Sequence, residues 1–369
     1  MSGSPVLREY GWGARLIPLP TLRRMTLRMS SRRWILKTTV ATIASLAARR
    51  LFGQEPGAEV IDMHVHFVRK LTTPQGRHPE IRDNPLVSHW TWHEHNGDLL
   101  VQEMNRAGVG RALLKTFNAE DIAYPLRQDF HSDDSGTDEA PFQSSEGYML
   151  EYRDKYPDRF IWAATVNPSI ESFHERWTAK FSRNLRAIVL FPGLQDHRLD
   201  HENVTWILEE CEKRGIKGVL MSFENVNRSH TSADYIEQLY DMIDAHPNLH
   251  YSFMHTGYQV PHTLEREPTL RLINHFNEKY GNIWAQTGNY YLDTRYPFPT
   301  QLAGTKDLYD NIGADRVVWA TDWPWIENIG KYYQFVQSVE EHCTYMSPAE
   351  KAKYLGGNAL DFLALPLVQ

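Results

Sequence analysis

The sequence predicts a (β/α)8 barrel of the TIM type with long loop insertions after strands 1 and 2, and three observations carry that prediction. The chain has 369 residues, enough for one large barrel, which takes about 250 residues before insertions. From residue 58 onward, eight short apolar runs recur along the chain. Between most of them lie amphipathic segments of helical period, among them Asn203–Lys213, Ala233–Ala245, Pro268–Lys279 and Leu302–Asn311. Strand-like runs alternating with helices imply parallel strands joined by helical crossovers, and eight of them close a barrel.

The runs are Val60–His66, Arg111–Phe117, Arg159–Val166, Leu185–Phe191, Gly215–Phe223, Leu249–His255, Asn282–Thr287 and Arg316–Asp322. Stretches such as Arg186–Phe191 are apolar almost throughout, as strands covered on both faces should be. Two stretches break the rhythm. Residues 67–98 form a polar and aromatic insertion, and residues 118–147 form a second that contains the acidic run Asp129–Glu139. In a barrel such loops lie over the C-terminal mouth and shape the pocket. Asn358–Leu363 reads as a closing helix.

Residues 1–57 read as a leader rather than as fold, leaving 58–369 for the barrel. Ser31-Arg32-Arg33-Trp34-Ile35-Leu36-Lys37 resembles a twin-arginine export motif, and the apolar stretch Thr38–Ala48 that follows is too short to span a bilayer. The expectation is export to the periplasm by the twin-arginine route, with no membrane association beyond this segment. Residues 58–369 contain 29 Lys/Arg and 44 Asp/Glu, a formal net charge of −15. Such a body repels phosphate backbones, which argues against nucleic acid as a partner and for a small-molecule substrate. A homo-oligomer is compatible with the sequence. Cys211 and Cys343 read as two buried free thiols, with a disulfide between them as the alternative.

Chemistry-bearing residues fall at the C-terminal ends of the strand runs. The first run contains His64-Val65-His66, and side chains two apart on a strand share a face. Two imidazoles on one face are a natural start for binding a divalent ion. The eighth run ends Ala320-Thr321-Asp322-Trp323-Pro324, placing a carboxylate where barrel enzymes keep their active sites. Asp322 could instead cap a helix, but the next helical pattern begins only near Gly330. The sixth run ends in His255, a candidate ligand or positioned acid/base.

His-x-His on strand one, His on strand six and Thr-Asp-x-Pro on strand eight resemble the amidohydrolase superfamily. The nearer resemblance is to its amidohydrolase-related branch, with aminocarboxymuconate-semialdehyde-type decarboxylases, hydratases and lactonases. The ending Gly356-Gly357-Asn358-Ala359 before an apolar helix resembles that branch too, and the likeness spans roughly residues 58–364. It implies His64, His66 and Asp322 at a metal with His255 beside it, and one divalent ion, zinc by expectation. The branch usually adds a histidine at the end of strand five, where this chain has Met221-Ser222-Phe223-Glu224. Glu224, Ser222 or His255 would have to take that place, so a metal-free, lactonase-like alternative stays open. Strand four offers no lysine for a bridged two-metal site.

The resemblance implies a metal-dependent hydrolase, with Asp322 and His255 as the catalytic pair. A non-oxidative decarboxylase using the same residues is the first alternative, and an exported binding protein without activity the second. Trp92 and His93 in the first insertion and Tyr290 and Arg295 after strand seven are the candidate substrate contacts. Aromatic faces with one cation suit a small, anionic, cyclic or aromatic substrate.

Overall fold

All eight runs form parallel strands, hydrogen-bonded in the order β1 to β8. The strands are β1 Val60–Val65, β2 Val109–Thr116, β3 Phe160–Val166, β4 Ala187–Leu190, β5 Gly218–Met221, β6 His250–Phe253, β7 Ile283–Gln286 and β8 Val317–Val318. This computed structural model describes residues 59–67, 95–116, 146–223, 229–256, 264–288, 293 and 295–366. The leader, most of both insertions, Glu224, Trp92, His93 and Tyr290 lie outside the described residues.

The apolar runs become strands covered on two sides, and β3, β4, β5 and β7 are buried at every position. Ile61, Met63, Leu113, Ile161, Ala163, Ala187, Val189, Leu220, Trp284 and Val318 fill the barrel interior. The closing helix Asn358–Leu363 contributes Ala359, Leu360, Phe362 and Leu363 to that same cluster, flooring the barrel at its N-terminal end. Asn358 ties this floor to β8, its side-chain amide donating to the carbonyls of Ala314 and Val317 at 2.7 Å each. Just before it, Gly356 lies hard against β1. A Cβ at Gly356 would fall 1.8 Å from the Glu59 carbonyl oxygen, so no larger residue fits there without moving a strand.

The expected helices are present with slightly wider limits, at Glu202–Arg214, Ser232–Ala245, Arg266–Lys279 and Pro299–Ile312. Local chemistry sets their ends. Thr231 and Asp234 form a reciprocal capping box before Ser232–Ala245, and Gly215 closes Glu202–Arg214 in a left-handed conformation. Cys211 and Cys343 are both buried and free, which settles the thiol question in favour of two reduced cysteines. Among the described residues, no helix is long and apolar enough to cross a membrane.

The eighth strand departs from the expected Arg316–Asp322, because its ladder to β7 covers Val317 and Val318 alone. Beyond them the backbone turns to β1. Met63 N donates to Trp319 O at 3.2 Å, Asp322 N to His64 O at 2.9 Å, and His66 N to Trp323 O at 2.8 Å. These bonds close the barrel, so the segment that reads as the end of a strand is the seam between the last strand and the first.

Candidate metal centre

The seam places the chemistry. Along β1, Ile61 and Met63 face the interior, and a register shift then follows between Asp62 and Val65. Asp62 supports the shifted backbone, its carboxylate accepting from His64 N at 3.1 Å, Thr321 N at 3.0 Å and the Tyr332 hydroxyl at 2.7 Å, and also from the Thr321 hydroxyl. Burial pushes the Asp62 carboxyl up to about 6, against the opposing pull of these donors. Above the shift His64 and His66 turn inward together, as the sequence expects.

Their Nε2 atoms lie 3.0 Å apart. Asp322 Oδ1 lies 3.0 Å from His64 Nε2 and 3.4 Å from His66 Nε2. His255 joins from beyond β6, its ring centroid 5.0 Å from that of His64. One donor atom from each of His64, His255 and Asp322 lies within 4.8 Å of the others, a grouping fit for a metal ion. All four side chains are buried. Asp322 and His255 have left-handed backbones, with φ of 62° and 57°, a region Asp and His enter more readily than most residues. Strain of this kind at the ends of two strands is typical of a functional site.

Outer contacts set which ring nitrogens carry protons. Gln286 Nε2 donates to Met63 O at 2.9 Å, which turns Gln286 Oε1 toward His64 Nδ1 at 3.2 Å. His66 Nδ1 faces the carbonyl oxygen of Lys115 at 3.2 Å. Both acceptors demand an N–H from Nδ1, so each neutral ring presents an unprotonated Nε2 to the centre. Burial pushes both imidazoles below their ordinary range, His64 strongly, and so favours the neutral form. Burial opposes the charge on Asp322 as well, so with both rings neutral its carboxylate calls for a positive partner at the centre. Two lone pairs and a carboxylate oxygen converging at these distances repel one another unless something positive lies between them. A divalent cation satisfies all three at once, and the donor set of imidazole nitrogens and a carboxylate suits zinc-like ions.

Sequence reasoning missed Gln286, Asp62 and Lys115. Gln286 had a readable signal, since it ends the otherwise apolar Ile283-Trp284-Ala285 and lies two residues beyond the inward Trp284. Replacing Gln286 by Leu should weaken metal affinity about 10–100-fold, the usual cost of losing an outer hydrogen bond to a ligand. Competition with a chromophoric chelator measures it, and an unchanged affinity would detach Gln286 from the site. Arg295 is exposed, and its carbonyl accepts from Phe298 N at 2.9 Å. Beside the seam, Glu327 accepts from Trp323 Nε1 at 2.8 Å and pairs with His95 Nε2 at 2.9 Å, bracing the end of the first insertion against the loop that follows Asp322.

The fold has parallels. The model of the amidohydrolase family matches residues 61–365. Comparison of the sequence with curated proteins finds no match. Among solved structures, a probable 2-pyrone-4,6-dicarboxylic acid hydrolase from Acinetobacter baumannii with bound citric acid is 15% identical, with a TM-score of 0.56 over 83% of this chain and 100% of that one. An amidohydrolase from Burkholderia multivorans with bound zinc is 14% identical, with a TM-score of 0.56 over 84% and 100%. A 5-carboxyvanillate decarboxylase from Novosphingobium aromaticivorans with bound manganese is 13% identical, with a TM-score of 0.54 over 85% and 98%. At these identities the likeness speaks to fold, while the family match spans most of the chain. The protein belongs to the amidohydrolase family and is an enzyme of that superfamily.

Proposed function

We propose that the protein is an exported, metal-dependent hydrolase acting on a small, anionic, cyclic or aromatic substrate. The observation that carries this reading is the convergence of His64 Nε2, His66 Nε2 and Asp322 Oδ1 at 3.0–3.4 Å, with both ring tautomers set from outside. A zinc ion held by His64, His66 and Asp322, with His255 beside it, would bring the pKa of a water toward neutrality and polarise the bond to be cut. Asp322, ionised at neutral pH, receives the proton at a carboxylate oxygen and returns it to the leaving group. His255 borders the same space and donates to the oxygen on which charge develops. Burial of all four side chains keeps bulk water from competing.

Non-oxidative decarboxylation is the second reading, because the same donors would hold a carboxylate and a neighbouring hydroxyl while Asp322 or His255 protonates the carbon. The similarity to a manganese-containing decarboxylase favours keeping it. A panel of lactones, aryl esters and aromatic acids, assayed with zinc- and manganese-loaded protein, separates the two. Ring opening or ester cleavage without CO2 is expected. Release of CO2 without hydrolysis would transfer the assignment to the decarboxylase.

Export is part of the same proposal and rests on Arg32, Arg33 and the apolar stretch Thr38–Ala48. Residues 1–57 fused to a folded reporter should carry it to the periplasm, and changing Arg32 and Arg33 to Lys should retain it in the cytoplasm. A reporter exported equally well by both forms would rule out the twin-arginine route.

A further inference from the structure

We infer that Asp62 is the positioning residue of the metal centre, and that its carboxylate, held by Thr321 and Tyr332, sets the separation of His64 from Asp322. The inference rests on the reading of His64, His66 and Asp322 as metal ligands. It gives the helix Tyr332–His342, which carries no ligand itself, a hand in metal affinity.

Ile61 and Met63 point into the barrel, so Asp62 between them points outward, away from the space where the ligand side chains converge. There it is 0% exposed, and each of its carboxylate oxygens accepts two hydrogen bonds. Oδ1 takes His64 N at 3.1 Å and Thr321 N at 3.0 Å. Oδ2 takes the Thr321 hydroxyl at 2.5 Å and the Tyr332 hydroxyl at 2.7 Å. One oxygen therefore bridges the backbones of both ligand-bearing segments, β1 at His64 and the turn that leads into Asp322. The other is fixed by two hydroxyls. Having given its proton to Asp62, the Thr321 hydroxyl accepts from Trp323 N at 3.1 Å. Asp322 is thus gripped from both neighbours, through Thr321 directly and through Trp323 by way of the Thr321 hydroxyl.

This grip answers a specific need. Asp322 has a φ of 62°, in a region that residues other than glycine keep only where their surroundings over-determine it. β1 breaks register between Asp62 and Val65, which is where His64 lies. Both irregular segments carry ligands, and both hang on the same carboxylate. A carboxylate suits the task because it accepts at both oxygens and donates at neither, whereas an asparagine has one acceptor oxygen for the same four donors. Closing the barrel does not itself require this group, since Met63 N to Trp319 O and His66 N to Trp323 O already join the two segments through the backbone. A carboxyl buried in the wall is unfavourable on its own account, and its bonds fall on the residues that carry or flank the ligands. Groups that orient ligands from outside tune the affinity of the ion, and Tyr332 extends that influence to the helix that follows the Asp322 loop.

Thr321 offers the sharpest test, because valine matches its shape and serine keeps its hydroxyl. Zinc affinity, measured by competition with a chromophoric chelator, should fall about 10–100-fold in Thr321→Val and stay within about threefold of wild type in Thr321→Ser. Tyr332→Phe removes a single oxygen and should weaken zinc about tenfold, which keeps the answer readable if Thr321→Val does not fold. The visible absorption of cobalt-loaded protein reports ligand geometry. It should change in Thr321→Val and Tyr332→Phe and match wild type in Thr321→Ser. A purely structural network would lower the melting temperature of the metal-free variants and leave zinc affinity and the cobalt spectrum unchanged, and that result overturns the inference. Equal losses of affinity in Thr321→Ser and Thr321→Val would overturn it too. The imidazole nitrogen NMR resonances of histidine-labelled, metal-free protein separate this failure from a failure of the metal reading. A wild type that binds neither zinc nor cobalt removes the metal, yet the His64 and His66 resonances should still shift in Thr321→Val and not in Thr321→Ser. Resonances that stay put in every variant would overturn the positioning role as well.

Discussion

Asp322→Asn should lower turnover by about 10²–10⁴-fold while leaving the protein folded and most of its metal in place. Asparagine keeps the shape of the side chain and one oxygen ligand, but it removes the carboxylate that shuttles the proton. The Asp322 backbone makes its own bond to His64 O at 2.9 Å, and that seam does not depend on the side chain. Asn also tolerates the left-handed backbone that Asp322 adopts, so the substitution adds little strain. The measurement is kcat on the best substrate from the panel, with metal content and melting temperature measured on the same preparation. Turnover at the wild-type rate would remove Asp322 from the proton path and pass the role to His255.

The second large effect concerns the metal. Wild type purified without chelator should carry about one divalent ion per chain, and His64→Ala should reduce this to near zero. His64 touches the other members of the cluster most closely, meeting both His66 Nε2 and Asp322 Oδ1 at 3.0 Å. Removing it takes away one ligand and frees the Gln286 amide that positioned it. Ligand-linked stability supplies an independent readout, because metal added at 100 times its Kd stabilises the native state by about 2.7 kcal/mol. Added zinc should therefore raise the melting temperature of wild type and not that of His64→Ala. A wild type that is metal-free, insensitive to chelator and still active would return the lactonase-like, metal-independent alternative.

The barrel was legible because strands buried on both faces leave uninterrupted apolar runs, and eight such runs admit few other arrangements. His64, His66, His255 and Asp322 were legible for a related reason, since a polar residue ending an apolar strand stands at the mouth of a barrel. Residues that act from inside the pattern were harder to see. Asp62 lies between two inward apolar residues and reads as an ordinary outward position, yet it holds the seam through Thr321 and Tyr332. The register shift on β1 is invisible to a period-two reading, because His64 follows the inward Met63 directly. Arg316–Asp322 reads as one strand because its composition is uniform, while its hydrogen bonds divide between β7 and β1. Lys115 hid because a lysine near a strand end is ordinarily a solvated one, and only the placement of Met254 and Phe191 reveals where its nitrogen goes.

The seam also sets a timetable. The two halves of the metal centre are encoded at opposite ends of the barrel, His64 and His66 near its beginning and Asp322 near its close, and the floor beneath them comes later still, from Asn358–Leu363. A growing polypeptide can pair β1 with β2, and each later strand with its predecessor, as translation proceeds. It cannot join Met63 to Trp319 or His66 to Trp323 until Trp319 and Trp323 have been made, about 250 residues after β1. Until then the first strand has a bare edge and its histidines lack their carboxylate partner. An ion that needs all of these side chains would be captured only after the seam has closed, which suits a protein proposed to leave the cytoplasm already folded.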